Sequence, residues 1–454
     1  MTPNLRPFRQ FRKFAVERTN LTSTRARPPQ EYFWYMVQHD PDPTAYYSPA
    51  ALVIEGPLDV TLLKSALGAF FADHSVYRTA LTETDGVLQQ VVLDVADPRS
   101  ELEVIELPLL PEAEWAAELT RSVEELVARD FDLARGHVLW SRLIHISPER
   151  NLLVFVAHHA AIDASSFGQL LPWLFAQYER MRAGTALLPR PLQYLDFSEA
   201  LQRWQDTPDG VAAAAYWKKQ LHDAPPVEIP CDLPRADVDR EREAAPLSIA
   251  TSLMHVPVYH DVPEDVRAAV ARVSAEDNVT SYIVYLASLV WLLHRETGQT
   301  DISVEATFSL RPAHKAFESI QGPLTTWTLL RTKVAGCATL REAIRRVRQV
   351  VGESQENGPI SDYYRLVPHT LRRAIFNYVP LPKFSATEKI AADLTAVHQR
   401  LPFARWKRPW DLHITLLDAP ARAMLVWTGN EQLFTRDALV KLFERFREHL
   451  GSLQ

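Results

Sequence analysis

A pair of histidines followed by an aspartate stands directly after an apolar stretch of the chain. Residues 152–157 are nearly all apolar, and His158, His159 and Asp163 follow them. The apolar run predicts a buried strand, and strand ends that open onto loops often carry reactive groups in α/β proteins. A neutral imidazole at such a position can accept a proton from an amine or a hydroxyl near neutral pH. Asp163 would then hold the histidine in place through the loop or through an arginine.

The same string has two other interpretations. It is also the pattern of a histidine pair in a protein core, with Asp163 as the N-cap of the next helix. A Ser/His/Asp triad would use Ser165 or Ser166, although a serine at a helix start is more often a cap. The other histidines are scattered singly, and no His-x-x-x-His pair occurs. We therefore predict no metal site.

Alternating strand and helix patterns surround the motif. A strand at 52–55 precedes a helix that Asp59 can cap, and the helix after the motif is expected to stop at Gly184. In the second half, apolar spacing predicts helices around 266–273, 280–296, 340–347 and 439–450, and strands at 302–310, 326–334, 413–417 and 423–427. The proline-containing stretch 189–197 predicts a linker. The expected fold class is mixed α/β in two comparable halves.

The first 28 residues differ from the rest of the chain. They show no sustained apolar period and contain a single acidic residue, Glu17. The basic residues in the same stretch are Arg6, Arg9, Arg12, Lys13, Arg18, Arg25 and Arg27. Such a run is usually a solvated or loosely attached arm, and the functional alternative is a docking arm for an acidic partner. We therefore divide the chain into an arm at 1–28, a first half at 29–186 with the histidine motif, and a second half at 187–454.

Composition excludes several classes of protein. Only 14 glycines occur among 454 residues, and no two lie closer than Gly352 and Gly358. Gly-x-Gly-x-x-Gly turns, Walker loops and the Gly-x-Ser-x-Gly elbow are therefore absent. A net charge of −7 argues against nucleic acid as a partner. The longest apolar run, 279–293, is interrupted by polar residues, and no leader pattern is visible. We expect a cytoplasmic protein that does not bind a membrane.

Several motifs in a defined order resemble one known family. The buried strand, the string from His158 to Asp163 and the helix after it resemble the core of condensation domains of nonribosomal peptide synthetases, within the chloramphenicol acetyltransferase-like superfamily. The other matching segments are Gln30 to Trp34, His74 to Thr79, Asp132-Leu133, Tyr216-Trp217 with Leu221, Thr280 with Leu293 to Arg295 and Gly298, Arg311-Pro312, Gly322 to Arg331, and Asp411-Leu412. The resemblance covers nearly the whole chain, and the number and order of its motifs make it specific.

This resemblance implies a fold and a role for each motif residue. The fold would be two acetyltransferase-like lobes in a V, with a tunnel between them that phosphopantetheine arms reach from opposite faces. His159 would be the catalytic histidine, as general base or as positioner of the attacking group, and His158 would be structural. Asp163 would pair with Arg311 and fix the loop. No cofactor would be bound permanently, because the substrate arrives on the phosphopantetheine of a carrier protein or on coenzyme A.

The resemblance also implies partners. No adenylation or carrier segment is recognisable in the sequence, so carrier proteins would act in trans on a free-standing enzyme, which we expect to be a monomer. Carrier proteins are generally acidic, which makes the 1–28 arm and the face from Arg341 to Arg348 candidate docking surfaces. Both surfaces are equally well explained as solvated.

Departures from the family pattern point to an unusual pair of substrates. Ala164 stands where the family usually has glycine, and Thr326-Trp327 replaces Asn-Thr. We expect these three residues to line the substrate tunnel and to narrow it. Asp73 replaces an arginine and Leu310 replaces a glycine.

The function predicted on this basis is condensation. The enzyme would join a carrier-bound acyl or aminoacyl thioester to the amine or hydroxyl of a small acceptor, forming an amide or an ester in natural-product biosynthesis. One alternative is an acyltransferase that uses coenzyme A. Another is a non-catalytic recruitment domain, although such domains tend to lose the second histidine, which is present here as His159. An epimerisation domain would carry a Glu-Gly-His-Gly-Arg-Glu string, which residues 354–362 lack.

Overall fold

A computed structural model of the protein describes residues 17–39, 43–107, 111–244, 253–360, 363–380, 387–390, 393–398, 406–408, 410–419 and 422–453. Two large hydrophobic cores organise these residues, one built mainly from the first half of the chain and one from the second. The arrangement is mixed α/β, which confirms the predicted fold class. No helix in the described ranges is long and apolar enough to cross a membrane. The cytoplasmic location stays a prediction.

The first half of the chain is built around the strand that precedes the histidines. Its elements are β1 (Ser23–Arg25), α1 (Pro28–His39), β2 (Tyr47–Glu55), α2 (Val60–Asp73), β3 (Thr79–Thr84), β4 (Val87–Val92), β5 (Glu103–Glu106), α3 (Glu112–Val127), β6 (Leu139–Ser147), β7 (Arg150–His158) and α4 (Ala164–Arg182). β7 lies between β2 and β6 and is buried at every residue after Arg150. The predicted buried strand at 152–157 is therefore confirmed, and it continues to His158 itself.

The second half of the chain forms a larger sheet. Its elements are α5 (Tyr194–Gln205), α6 (Pro208–Leu221), α7 (Ala236–Ala244), β8 (Leu253–Asp261), α8 (Glu264–Glu276), α9 (Ser281–Thr297), β9 (Asp301–Ser309), β10 (Thr325–Lys333), α10 (Leu340–Glu356), α11 (Tyr363–Leu366), β11 (Ala374–Pro380), β12 (Thr387–Lys389), β13 (Thr395–His398), β14 (Trp406–Arg408), β15 (Leu412–Ala419), β16 (Arg422–Asn430) and α12 (Arg436–Gly451). Within the described residues the sheet has seven strands in the order β10-β9-β11-β15-β16-β8-β14. Helices α8, α9, α10 and α12 share a core with one face of this sheet.

Two segments of the second half pack into the first. β13 pairs antiparallel with β2, with Thr395 opposite Glu55, so the first sheet has the order β12-β13-β2-β7-β6-β5 among the described residues. The loop between β9 and β10 also enters the first core, where Phe317, Ile320 and Leu324 are buried. Among the described residues, the first core therefore contains chain from both halves, whereas the second core is built from the second half alone. The division at 186/187 stays a prediction about domains.

The start and the end of α4 follow from local signals in the sequence. Asp163 accepts a hydrogen bond from the Ser166 N–H at 2.8 Å, which caps the helix. Gly184 lies just after the helix with a φ of 65°, a left-handed conformation that favours glycine. Both expectations are confirmed. The linker predicted at 189–197 is partly wrong, because α5 begins at Tyr194.

The end of the basic N-terminal segment is attached to the first half. β1 pairs with β4, and Arg25 forms an ion pair with Glu31. Arg27 is only 2% exposed and donates to Gln202 Oε1 at 3.1 Å. Arg27 is therefore packed, whereas 41% of the Arg25 side chain stays exposed. Residues 1–16 lie outside the described ranges, so a docking role for their basic side chains stays a prediction.

Candidate active site

His159 is the first residue after β7, in the turn that leads to α4. Its backbone N–H donates to the Tyr46 carbonyl at 2.9 Å. Its Nδ1 lies 3.4 Å from the Ile162 carbonyl oxygen, and its Nε2 lies 3.0 Å from Ser48 Oγ. The ring stacks on Phe33 of α1, with centroids 5.4 Å apart and planes 13° from parallel. Contacts with β2, α1 and its own turn therefore hold the imidazole in one orientation.

These contacts fit one neutral tautomer of the His159 ring. A carbonyl oxygen can only accept, so a hydrogen bond to Ile162 goes with a proton on Nδ1. In that tautomer Nε2 is the acceptor, and the Ser48 hydroxyl, 3.0 Å away, is its donor. A neutral imidazole with this tautomer is the form that can accept a proton from a substrate.

His158 is enclosed in the core beside this site. The side chain is 0% exposed, and its Nδ1 accepts the Ala160 N–H at 3.0 Å. Aromatic rings surround it, with centroid distances of 6.0 Å to Phe33, 5.5 Å to Tyr47 and 5.6 Å to Phe131. Burial lowers the pKa of His158 to about 3. The ring is therefore neutral near pH 7 and packs as part of the first core.

A buried ion pair joins the turn after His159 to the second half of the chain. Arg311 Nη1 donates to Asp163 Oδ2 at 2.6 Å, and each side chain is only 7% exposed. Arg311 Nη2 donates to Ser166 Oγ at 2.7 Å and to the carbonyls of Ile320 and Gly322 at 2.9 and 3.1 Å. One guanidinium thus holds the start of α4 and the loop between β9 and β10 together.

The serines at the start of α4 do not suit a catalytic triad. The Ser166 hydroxyl donates to the Gly322 carbonyl at 2.9 Å and accepts from Arg311, and Ser165 is exposed. Both oxygens of Asp163 are engaged as well, because Thr325 Oγ1 donates to Oδ2 at 3.1 Å while Oδ1 caps the helix. Asp163 is therefore placed as a cap and ion-pair partner.

The residues predicted to line the tunnel lie in two places. Ala164 is the first residue of α4 and is exposed. Trp327 on β10 packs with its ring centroid 5.8 Å from that of Phe33, the ring on which His159 stacks. Thr326 is its neighbour on the strand and is 7% exposed. Successive side chains of a strand point to opposite faces, so Trp327 lies on the side of Phe33 and Thr326 points the other way.

Ser48 is a neighbour of His159 that sequence reasoning missed. The register of β2 and β7 places Ser48 opposite Ala157, although Ser48 and His159 are 111 positions apart in the chain. Only the pairing of the two strands reveals the contact. Phe33, by contrast, lies within the matched segment 30–34, although no role was assigned to it.

A polar face of the second sheet lies beside Trp327. Thr307 is opposite Trp327 in the β9–β10 ladder, and its Oγ1 donates to Asn377 Oδ1 at 3.0 Å. Asn377 Nδ2 donates to His413 Nε2 at 2.9 Å. Because residues at odd positions of β9 point away from the helices, these groups line the sheet face opposite the second core.

The comparisons with known proteins agree on one family. Residues 22–453 match the family model of the condensation domain. The phosphinothricin tripeptide synthetase PhsB of Streptomyces viridochromogenes is 31% identical over 425 residues, which are 91% of this chain and 34% of that protein. The chain belongs to the condensation-domain family. It spans between 4% and 36% of the length of eight curated relatives that it matches.

Solved structures share the fold. SgcC5 of Streptomyces globisporus, in complex with (R)-(-)-1-(2-naphthyl)-1,2-ethanediol and sucrose, is 21% identical with a TM-score of 0.75, covering 95% of this chain and 98% of that one. The X-domain from teicoplanin biosynthesis, in complex with OxyB, is also 21% identical with a TM-score of 0.78, covering 97% and 94% of the two chains. The fold that the family resemblance implied is therefore confirmed.

Proposed function

We propose that this domain is an acyltransferase that joins a carrier-bound acyl or aminoacyl thioester to an amine or hydroxyl acceptor in natural-product biosynthesis. The observation that carries the proposal is the placement of His159 at the end of β7, with Nε2 3.0 Å from Ser48 Oγ and Nδ1 3.4 Å from the Ile162 carbonyl oxygen. A neutral imidazole in this arrangement suits proton abstraction from an amine or an alcohol near neutral pH.

The reaction balances with His159 as the only base. The acceptor nitrogen or oxygen attacks the thioester carbon, a C–N or C–O bond forms, and Nε2 gains one proton as the acceptor loses one. The C–S bond then breaks, and the proton passes from Nε2 to the departing sulfur. Asp163 and Arg311 hold the turn without moving protons, because both are committed to each other at 2.6 Å. His158 supports the turn from the core.

The acyl group arrives on a thin, flexible arm. Phosphopantetheine on a carrier protein and coenzyme A end in the same thiol, so either thioester presents the same reacting atoms, and neither is a resident cofactor. Carrier-bound donors are the primary proposal, since relatives such as PhsB are peptide synthetases. Coenzyme A thioesters are the second donor class.

The acceptor would lie against the sheet face that Trp327 shares with Thr307, Asn377 and His413. The indole offers a flat apolar wall, and the amide and hydroxyl groups offer hydrogen bonds to a polar substituent. An aromatic alcohol fits such a mixed surface, and SgcC5 was solved with a naphthyl diol. Ala164, exposed at the start of α4, would narrow the approach.

A carrier protein acting in trans would dock on the outer face of α10. Arg345 and Arg346 are exposed there, and neither forms an ion pair with any described residue. Arg341 differs, since it pairs with Asp277 at 2.9 Å. An Arg345→Glu/Arg346→Glu variant should raise the KM for a carrier-bound donor by about tenfold and leave that for a coenzyme A donor unchanged. The control Lys64→Glu should leave the KM for the carrier-bound donor unchanged. An equally unchanged KM in the double variant would argue against this surface.

The experiment that tests the function offers both donor classes to the protein. Acyl carrier and acyl coenzyme A donors are mixed with panels of amines and alcohols, and products are followed by mass spectrometry. His159→Ala should lose at least ~10²-fold in turnover with an unchanged circular dichroism spectrum. Retained turnover in His159→Ala would refute the base assignment. If the unaltered protein forms no product with either donor, a recruitment domain that binds a partner, as the X-domain binds OxyB, replaces the proposal.

A further inference from the structure

The hydroxyl of Ser48 is hydrogen-bonded to His159 Nε2, the nitrogen that acts as the base in the proposed reaction. Ser48 Oγ lies 3.0 Å from His159 Nε2, within ordinary hydrogen-bond range. In the tautomer with the proton on Nδ1, which fits the Ile162 contact, Nε2 is the acceptor and the Ser48 hydroxyl is the donor. An acceptor substrate cannot bond to the same lone pair while Ser48 does.

The main chain holds Ser48 in this place. β2 and β7 are paired from Tyr47 opposite His158 to Glu55 opposite Arg150, and this register fixes Ser48 beside the end of β7. The His159 N–H is bonded to the Tyr46 carbonyl at 2.9 Å, which extends the contact between the two segments past the ladder. The two strands therefore fix the backbone of Ser48 beside His159, and its side-chain rotamer brings Oγ to 3.0 Å from Nε2.

We propose that Ser48 is a catalytic residue that relays the acceptor proton to His159, an inference that rests on the proposed acyl transfer. A serine hydroxyl donates one hydrogen bond and accepts others at the same time. Its oxygen can accept the N–H or O–H of the substrate while its own proton is shared with Nε2.

Two protons move in this relay, and no other reactant is required. As the acceptor attacks the thioester carbon, its proton transfers to Ser48 Oγ, and the Ser48 proton transfers to His159 Nε2. When the C–S bond breaks, the imidazolium returns one proton to the sulfur. Ser48 and His159 end in their starting forms, and the products are the amide or ester and the free thiol.

The same geometry also suits a serine nucleophile, since a hydroxyl and a base within hydrogen-bond distance form a catalytic dyad. A nucleophilic Ser48 would first form an acyl ester with the donor. A relaying Ser48 forms no covalent adduct. Intact-protein mass spectrometry after incubation with the donor alone distinguishes the two, because only the nucleophile gains the mass of the acyl group.

The activity test compares two changes at position 48 with a matched control. Ser48→Ala should lower kcat by about 10- to 100-fold with little change in KM, and Ser48→Thr, which keeps the hydroxyl, should restore most of it. Ser65→Ala, on the exposed side of α2, should behave as the unaltered protein. The rate is also measured in mixtures of H2O and D2O and plotted against the deuterium fraction. The plot should be curved for the unaltered protein, because two protons move together, and linear for Ser48→Ala, because only one does.

Clear results would overturn the relay. A Ser48→Ala protein with kcat within about twofold of the unaltered protein, or an acyl adduct that Ser48→Ala abolishes, would refute it. Failure of the proposed function is a different result, namely no product from the unaltered protein with any donor.

A spectroscopic test of the Ser48–His159 contact needs no turnover, so it applies even if the unaltered protein forms no product. In 15N-histidine spectra, the His159 signal, assigned by its loss in His159→Gln, should show an unprotonated Nε2 near neutral pH that shifts in Ser48→Ala. A protonated Nε2, or no shift in Ser48→Ala, would refute the inference whatever the substrate.

Discussion

Arg311 ties the turn that carries His159 to the loop between β9 and β10, and its removal should destabilise the protein strongly. Its guanidinium makes four hydrogen bonds, to Asp163, Ser166, Ile320 and Gly322. In Arg311→Ala the carboxylate of Asp163, which is 7% exposed in the unaltered protein, would lose its cation. Removal of one partner from a buried ion pair costs about 3–5 kcal/mol. Because the total free energy of unfolding of a native protein is roughly 5–15 kcal/mol, this loss is a large fraction of it.

Urea unfolding followed by tryptophan fluorescence measures the effect. The free energy of unfolding of Arg311→Ala should fall by about 3–5 kcal/mol, while Arg345→Ala, which removes an exposed arginine, should stay within about 0.5 kcal/mol of the unaltered protein. The double variant Asp163→Asn/Arg311→Met should recover part of the loss, because no unpaired charge remains in the core. A loss below about 1 kcal/mol in Arg311→Ala would refute the reasoning.

Three further changes have defined outcomes. Gly322 has a φ of 140°, and a Cβ there would lie 2.3 Å from Tyr194 Cδ2, so Gly322→Ala should lower the thermal midpoint, whereas Gly68→Ala, with open space around it, should not. Trp327→Ala removes the indole beside the site, so kcat/KM should rise for bulky acceptors relative to small ones in competition assays, and an unchanged ratio would contradict its role in the channel. Burial lowers the pKa of His158 to about 3, so the unfolded chain binds a proton there that the folded chain does not. This histidine should therefore reduce stability as the pH falls from about 6.5 toward 3, by about 1.4 kcal/mol per pH unit, and His158→Gln should give a shallower pH dependence in urea unfolding.

Features that depend on neighbouring residues could be predicted from the sequence. The cap at Asp163 and the stop at Gly184 each act within one helical turn, and the apolar composition of 152–157 directly reflects burial on both faces. These signals need no knowledge of what packs against them.

Contacts between distant segments could not be derived in the same way. Ser48 meets His159 through the register of two strands, and nothing in either segment alone specifies that register. The Asp163–Arg311 pair joins positions 148 apart, and only the family resemblance pointed to it. The chain from β12 to β13 carries no sign in its residues that it completes the sheet of the other half.

That crossing strand limits how far the two lobes can move apart. β13 is hydrogen-bonded to β2 from Thr395 to His398, so a wide hinge motion would have to break main-chain bonds as well as the Arg311 ion pair. Relative motion of the two cores is then restricted to small rotations that keep these bonds. A tunnel of the kind that the family resemblance implies would therefore keep a nearly constant width, and it would admit an acyl chain on a slender tether but not a folded partner.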